Sequence, residues 1–240
     1  MKYTTVIFDL DDTLCNTSES KAKVFSQIYR DNSKLHVVSE EEFTVLITKE
    51  RQRYLDRVGG MQTFARIEMW LGLVSKLKIN LSVRELKTII DDYWKYTLQE
   101  IQLFPDTLET LDELMTMDMV TVLVTGGDFY TKASKLIKLG IDNHFKYVFT
   151  ADLIRQPKND PAIYRYVLNY INVQAPRAIM VGNDPEQDII PANQIGITTV
   201  QIFADDAGTS EQGDSSPSFK INNLHELIPV LEGQTGDRAK

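Results

Sequence analysis

The sequence predicts an α/β fold in which a Rossmann-like, mostly parallel sheet is flanked by helices and carries an inserted all-helical cap. Two observations predict the sheet: short apolar runs typical of buried parallel strands recur along the chain, and amphipathic helical patterns lie between them. A third observation predicts the insertion. More than a hundred residues separate Thr13 from Thr125, at the ends of the first two runs, whereas a crossover helix needs far fewer.

The core strands are predicted where apolar runs end in polar residues. They lie at 6–8, 120–124, 147–149, 178–181 and 198–202, and an edge strand is expected at 219–221. Apolar residues at helical spacing predict helices around 133–137 and 163–170 and a final helix at 224–231. Strand and helix therefore alternate from about residue 105 onward, as right-handed crossovers in a parallel sheet require.

Residues 16–103 are predicted to form the cap, as four helices. Two helix starts match the capping box, in which a Ser oxygen and a later Glu each satisfy a backbone donor; they are Ser39 with Glu42 and Ser82 with Glu85. The catalytic core then comprises 1–15 and 104–232. An exposed loop rich in Gly and Ser is expected at 205–218, and a frayed tail at 233–240.

Composition excludes several classes of function. The 240 residues include 34 acidic and 26 basic side chains, a formal net charge of -8, so the positive field that nucleic-acid or anionic-membrane binding needs is missing. Cys15 is the single cysteine, and the three His are too scattered for a zinc site. Neither a signal peptide nor a membrane span is recognisable, and we expect a cytoplasmic protein. The sequence does not indicate an oligomeric state.

Polar residues with the chemistry of a phosphate site follow the predicted strands. They are Asp9, Asp11 and Thr13 after the first strand, Thr125 and Gly126 after the second, Lys158 in a later loop, and Asn183, Asp184 and Asp188 after the strand at 178–181. Clustered carboxylates repel one another unless a cation joins them, and an oxygen-only ligand set favours Mg²⁺. A hydroxyl, a backbone N–H and a Lys can bind phosphate oxygens, while one Asp attacks phosphorus and another exchanges a proton.

These four features, in this order, resemble the motifs of the haloacid dehalogenase-like hydrolase superfamily, in its phosphatase branch with a helical cap after the first strand. The resemblance implies that Asp9 is the nucleophile and Asp11 the general acid and base. It implies phosphate binding by Thr125, Gly126 and Lys158. Mg²⁺ would be held by the Asp9 carboxylate, the Asp11 backbone carbonyl and Asp184, with Thr13, Asn183 and Asp188 in support.

The resemblance implies a Mg²⁺-dependent phosphatase of a small soluble phosphomonoester, such as a sugar phosphate, phosphoglycolate or a nucleotide. Three residues depart from the common pattern: Gly126, Asn159 and Asn183. Carbon–halogen hydrolysis is disfavoured, because it needs neither Asp11 nor the metal ligand Asp184. A phosphomutase shares all four motifs and stays open. A non-enzymatic phospho-receiver or scaffold is the alternative from another class.

Four arginines of the insertion, Arg51, Arg53, Arg57 and Arg66, flank a pair of glycines at 59–60. We interpret them as a solvated helix face; the alternative is that they present charge to the far end of the substrate. Cys15 lies just after the first motif, but no His is near to activate it, and we interpret it as a packing residue.

Overall fold

The structure is a computed structural model that describes residues 2–58, 61, 63–203 and 216–233. Three predictions therefore fall wholly or largely outside the described residues. They concern the glycine pair at 59–60, most of the loop at 205–218, and the tail beyond residue 233.

A single six-stranded parallel sheet forms the core, in the order β3-β2-β1-β4-β5-β6. The strands are β1 (Thr5–Phe8), β2 (Val120–Thr125), β3 (Tyr147–Thr150), β4 (Ala178–Gly182), β5 (Thr198–Ile202) and β6 (Phe219–Ile221). The central strand β1 pairs with β2 and β4, and Phe8 lies in register with both Leu123 and Val181. The residues that follow these three strands are therefore brought together at one edge of the sheet.

The apolar runs form strands because both faces of the sheet are covered. Val6 and Phe8 belong to the apolar cluster on one face, and Ile7 belongs to the cluster on the other, as the two-residue period of a strand requires. All three residues are fully buried. The predicted Rossmann-like α/β fold is confirmed, including β6 at the edge.

Six helices follow β1 and its insertion in the described part of the core. They are α5 (Thr107–Thr116), α6 (Phe129–Leu139), α7 (Ala151–Ile154), α8 (Pro161–Ile171), α9 (Ile190–Asn193) and α10 (Leu227–Leu231). Two of them begin close to strand ends with side-chain caps. Asp128 accepts from the N–H of Thr131 at the start of α6, and Asp160 accepts from that of Ala162 at the start of α8.

The predicted insertion, residues 16–103, contains four α-helices in its described part, as predicted. They are α1 (Thr17–Asp31), α2 (Glu40–Val58), α3 (Ile67–Leu77) and α4 (Val83–Glu100), and they share an apolar cluster of their own. The capping box at Ser82 and Glu85 is complete. At Ser39 the hydroxyl accepts from the Glu42 N–H, but the return bond is not formed among the described residues. The division into core and cap stays a prediction.

No helix in the described part of the chain is long and apolar enough to cross a membrane. The predicted cytoplasmic location stays a prediction.

Candidate active site

A cavity of about 700 Å³ lies between the carboxyl ends of the central strands and the helical insertion. Its lining includes all but one of the residues predicted for the site, namely Asp9, Asp11, Thr125, Gly126, Lys158, Asn183, Asp184 and Asp188. The exception, Thr13, is fully buried behind the lining. Parallel strands that end at one level explain why residues so distant in sequence meet here.

Asp9 and Lys158 form a buried ion pair in the floor of the cavity. The Nζ of Lys158 lies 2.5 Å from Oδ1 of Asp9 and 2.5 Å from Oδ1 of Asp188. Burial alone would lower the pKa of Lys158, but the carboxylates of Asp188 and Asp9 outweigh it and raise the pKa. The ammonium therefore stays charged. Lys158 donates to Oδ1 of Asp9, and no hydrogen bond to Oδ2 is formed among the described residues.

A one-turn π-helix, Pro185–Ile189, places the two acidic residues that follow β4. Asp184 caps this turn by accepting from the N–H groups of Glu186 and Gln187, and its own N–H donates to Asp188 at 3.0 Å. Asp188 is fully buried, and this burial raises the pKa of its carboxyl to about 7, against the opposing charge of Lys158. Asp188 thus contacts both Lys158 and the backbone of Asp184.

Thr125 is the last residue of β2, and its hydroxyl is a candidate donor to a ligand. Its Oγ1 is buried and forms no hydrogen bond among the described residues, although the residue lines the cavity. A buried hydroxyl without a partner carries a desolvation cost, which a phosphate oxygen in the cavity would remove. Gly126 follows in the same lining.

Thr13 and Asn183 join the loop after β1 to the loop after β4. The Thr13 hydroxyl donates to Oδ1 of Asn183 and accepts from the Asn183 N–H, both at 3.1 Å. These bonds cross-link the loops that carry Asp11 and Asp184, and the supporting role of the two residues stays a prediction.

Asp11 is held by two lysines that the sequence reasoning missed. Lys132 and Lys135, on α6, each place Nζ 2.5 Å from a different carboxylate oxygen of Asp11, and the Thr17 hydroxyl donates to Oδ1 at 2.7 Å. Burial acts to raise the pKa of Asp11, but the lysines outweigh it and hold the pKa well below its ordinary value. The sequence signal was the position of both lysines in the first turns of the helix that follows the Thr125 motif.

The site offers hard oxygen ligands for a divalent cation. The carboxylates of Asp9 and Asp184 line one cavity, and their oxygens suit Mg²⁺. Among the described residues no cluster of three or more His, Cys, Asp or Glu side chains is placed to hold a metal. The implied set includes only two carboxylate side chains, because its third ligand is the backbone carbonyl of Asp11, and Mg²⁺ commonly keeps several waters.

The four arginines of the insertion divide into two pairs. Arg53 and Arg57 lie on the exposed face of α2, as interpreted, where they contact Glu50 and Glu68. Arg51 and Arg66 line the cavity, and for these two the interpretation as a solvated face is wrong. The reason is helical geometry: Arg51 lies on the side of α2 that faces the strand ends, and Arg66 immediately precedes α3.

Cys15 takes no part in the chemistry of the site. It is fully buried, and burial, followed by the charge of Asp11, raises the pKa of its thiol to about 11. The thiol therefore stays protonated, which agrees with its interpretation as a packing residue.

A family model described as haloacid dehalogenase-like hydrolase matches residues 6–202. Ribulose-1,5-bisphosphate 5-phosphatase of Halopiger xanaduensis is 30% identical to this chain, and the match covers 95% of this chain and 99% of that protein. Glyceraldehyde 3-phosphate phosphatase of Methanocaldococcus jannaschii is 27% identical, and the match covers 97% of this chain and 98% of that protein. The crystal structure of a HAD phosphatase from Thermococcus onnurineus superposes with a TM-score of 0.67 at 25% identity, covering 96% of this chain and 99% of that one.

Proposed function

Because the chain belongs to the haloacid dehalogenase-like hydrolase family, we propose that it is a Mg²⁺-dependent phosphatase that hydrolyses a small soluble phosphomonoester through an aspartyl-phosphate intermediate. The observation that carries the proposal is the placement of Asp9 beside Lys158, in one cavity with the unpartnered hydroxyl of Thr125. A nucleophile, a fixed positive charge and a free donor are what transfer of a phosphoryl group requires. Curated relatives named as phosphatases support the choice of reaction.

In the first step Oδ2 of Asp9 attacks phosphorus, and the bond from phosphorus to the leaving oxygen breaks. Lys158 and Thr125 hold phosphoryl oxygens, and the charge of Lys158 reduces the repulsion between the Asp9 carboxylate and the phosphate. Asp11 takes up a proton from solvent when its carboxyl is not held by the lysines, and it transfers this proton to the leaving oxygen. Its carboxyl must leave Lys132 and Lys135 to do so, because the contacts with these lysines favour the ionised form.

In the second step a water attacks phosphorus of the aspartyl phosphate, and the bond to Asp9 breaks to release inorganic phosphate. Asp11, now ionised, takes the proton of that water, so that Asp9 is again a free carboxylate and Asp11 again carries the proton for the next cycle. Thr17 and the two lysines stabilise the ionised form that this step needs.

Asp9, the backbone carbonyl of Asp11 and Asp184 would hold Mg²⁺, with Asp188 fixing the backbone of Asp184. When bound, the ion neutralises charge on the phosphate and on the nucleophile. The helical insertion forms the opposite wall of the cavity through α1, α2 and α4, which favours a small substrate over a folded phosphoprotein.

The test is phosphate release with and without a chelator, for the native chain and for Asp9→Asn, which keeps the shape of the side chain but removes its charge. The panel includes sugar phosphates, phosphoglycolate, nucleoside monophosphates, glyceraldehyde 3-phosphate and ribulose 1,5-bisphosphate. We expect Mg²⁺-dependent release that Asp9→Asn abolishes while its thermal unfolding stays cooperative. Transfer of the phosphate to another position of the substrate, without release, would show that the chain is a phosphomutase and not a phosphatase.

A further inference from the structure

Three cations of the helical insertion line the cavity without a carboxylate partner. They are Lys21 on α1, Arg51 on α2 and Arg66 before α3, and none lies within 4 Å of an acidic oxygen in the parts of the chain that the structure describes. The core lysines of the same cavity differ, since each of them pairs with Asp9, Asp11 or Asp188. The insertion therefore presents to the cavity three positive charges that form no direct ion pair within the described residues.

The guanidinium groups of Arg51 and Arg66 each contain a buried donor. The Nε of Arg51 and the Nε of Arg66 are buried and form no hydrogen bond among the described residues. A buried charged donor without an acceptor is costly. An anion in the cavity would provide the acceptor that both groups lack.

The cations lie close enough to affect one another. Burial, and next the charge of Arg51, lower the pKa of Lys21 to about 8. Burial also lowers the pKa of Arg51; the neighbouring Tyr93 opposes this shift, and the charge of Arg66 adds to it. Like charges are held together at such a site when an anionic ligand compensates their repulsion.

Arg66 is held in position before any ligand binds. Its φ of 42° lies in the left-handed region, which costs a residue other than Gly about 1 kcal/mol or more and is typical of functional sites. Its Nη1 donates to the Tyr93 hydroxyl at 2.8 Å, and its guanidinium lies 4.9 Å from the centre of the Trp94 ring. The Trp94 ring is in turn anchored by a 2.8 Å bond to the carbonyl of Phe64. These contacts orient the guanidinium toward the cavity with little freedom left to lose on binding.

We propose that the substrate carries, besides the phosphate ester that Asp9 attacks, a second anionic group, a carboxylate or a phosphate, bound by Arg51 and Arg66 with the help of Lys21. The inference rests on the proposed function and specifies its substrate class. Lys21 and Arg51 line the same cavity as Asp11, the residue that would protonate the leaving group, and as the neighbouring Asp12. The phosphoryl group has its own donors in Thr125 and Lys158, so the second anion belongs to the remainder of the substrate.

The experiment compares probes that differ by one anionic group. 3-Phosphoglycerate against glycerol 3-phosphate tests a carboxylate, and ribulose 1,5-bisphosphate against ribulose 5-phosphate tests a phosphate. We expect kcat/KM of the native chain to favour one two-anion probe by on the order of tenfold or more, because a hydrogen bond to a charged group contributes that much. The pair with the larger preference identifies the second anion.

Arg51→Gln and Arg66→Gln are each expected to reduce this preference by on the order of 10- to 100-fold. Arg53→Gln is the matched control, because Arg53 lies on the same helix as Arg51 with its side chain 76% exposed. It should leave the preference unchanged. Arg66→Lys keeps the charge but not the planar fork, and should restore part of the preference. Thermal unfolding of each variant shows whether it folds.

Binding is measured in parallel by titration calorimetry on Asp9→Asn, which separates this inference from the proposed function. Affinity for the two-anion probes that depends on Arg51 and Arg66 supports the second-anion site even if no probe is hydrolysed. Two results would overturn the inference without affecting the proposed phosphatase activity. One is hydrolysis without any preference for the two-anion probes, and the other is a preference that Arg51→Gln and Arg66→Gln leave intact.

Discussion

Gly182 is the last residue of β4, and the structure leaves no room there for a side chain. A Cβ added to Gly182 would lie 2.1 Å from Oδ2 of Asp188 and 2.6 Å from its Cβ. Rotation about the side-chain bonds of Asp188 moves the carboxylate away but not the Cβ. We therefore expect Gly182→Ala to push the whole turn that carries Asp184 and Asp188 out of place.

The free energy of unfolding of Gly182→Ala is lowered by two contributions. Overpacking a close-packed interior costs about 1–3 kcal/mol. Loss of the 3.0 Å bond from the Asp184 N–H to Asp188 adds roughly 1 kcal/mol, the usual net contribution of a hydrogen bond. A total of about 3 kcal/mol lowers the melting temperature of a chain of this size by roughly 6–12 °C. Moving the Asp188 Cβ from 2.6 Å to an ordinary contact distance of 3.4 Å displaces the turn by most of an ångström. Such a displacement at Asp184 should also lower kcat by on the order of 100-fold.

The assays are thermal unfolding and Mg²⁺-dependent phosphate release. Gly72→Ala in α3 is the matched control, since a Cβ at Gly72 overlaps Oε2 of Glu50 at 2.1 Å but meets only the flexible part of that side chain. Glu50 can rotate away, and Ala favours a helix by about 1 kcal/mol over Gly, so the melting temperature should change little. A Gly182→Ala chain that melts like the native one and keeps its kcat would refute the reasoning.

The remaining predictions concern charge. Because the pKa of Lys21 is lowered to about 8, its charge is present below that pH and lost above it, so KM for a two-anion probe should rise about tenfold between pH 7 and pH 9.5. In Lys21→Arg the rise should be absent, and an equal rise there would contradict the assignment. The pKa of Asp188 is raised to about 7 from an ordinary value of about 3.9, so between these values the native state binds a proton that the unfolded chain does not. Stability without metal should therefore fall as pH rises through this window, as measured by urea unfolding in the presence of a chelator. Asp188→Asn should flatten the profile, and an unchanged slope would show that another group titrates.

Much of the fold could be predicted because its signals are local. The runs around Ile7 and Val122 are apolar because both faces of the parallel sheet are covered, so that side chains on either face are buried. The length of the segment between them required an insertion. The roles implied for Asp9, Asp11, Lys158 and Asp184 came from residues that follow strands, and the common level at which parallel strands end brings those residues together.

The other charged groups of the cavity could not be predicted in this way. Whether a lysine or arginine on a helix faces water or the cavity depends on the rotation of that helix, and packing decides the rotation. Lys132 and Lys135 thus turned out to hold Asp11, while Arg51 faces the cavity and Arg53, two residues away, faces solvent. Arg66 occupies a left-handed backbone conformation and contacts Tyr93 and Trp94, and neither feature follows from the periodicity of the sequence.

The sequence by itself determined the order of strands and helices and the chemistry at the strand ends, because periodicity and strand-end position are properties of neighbouring residues. Only the tertiary structure decided which cations meet which carboxylates, because Coulomb energies depend on distances and burial that arise when distant segments pack. In this protein the groups proposed to react belong to motifs that the sequence shows. The unpaired cations of the insertion, which we propose select the substrate, became evident only in the structure.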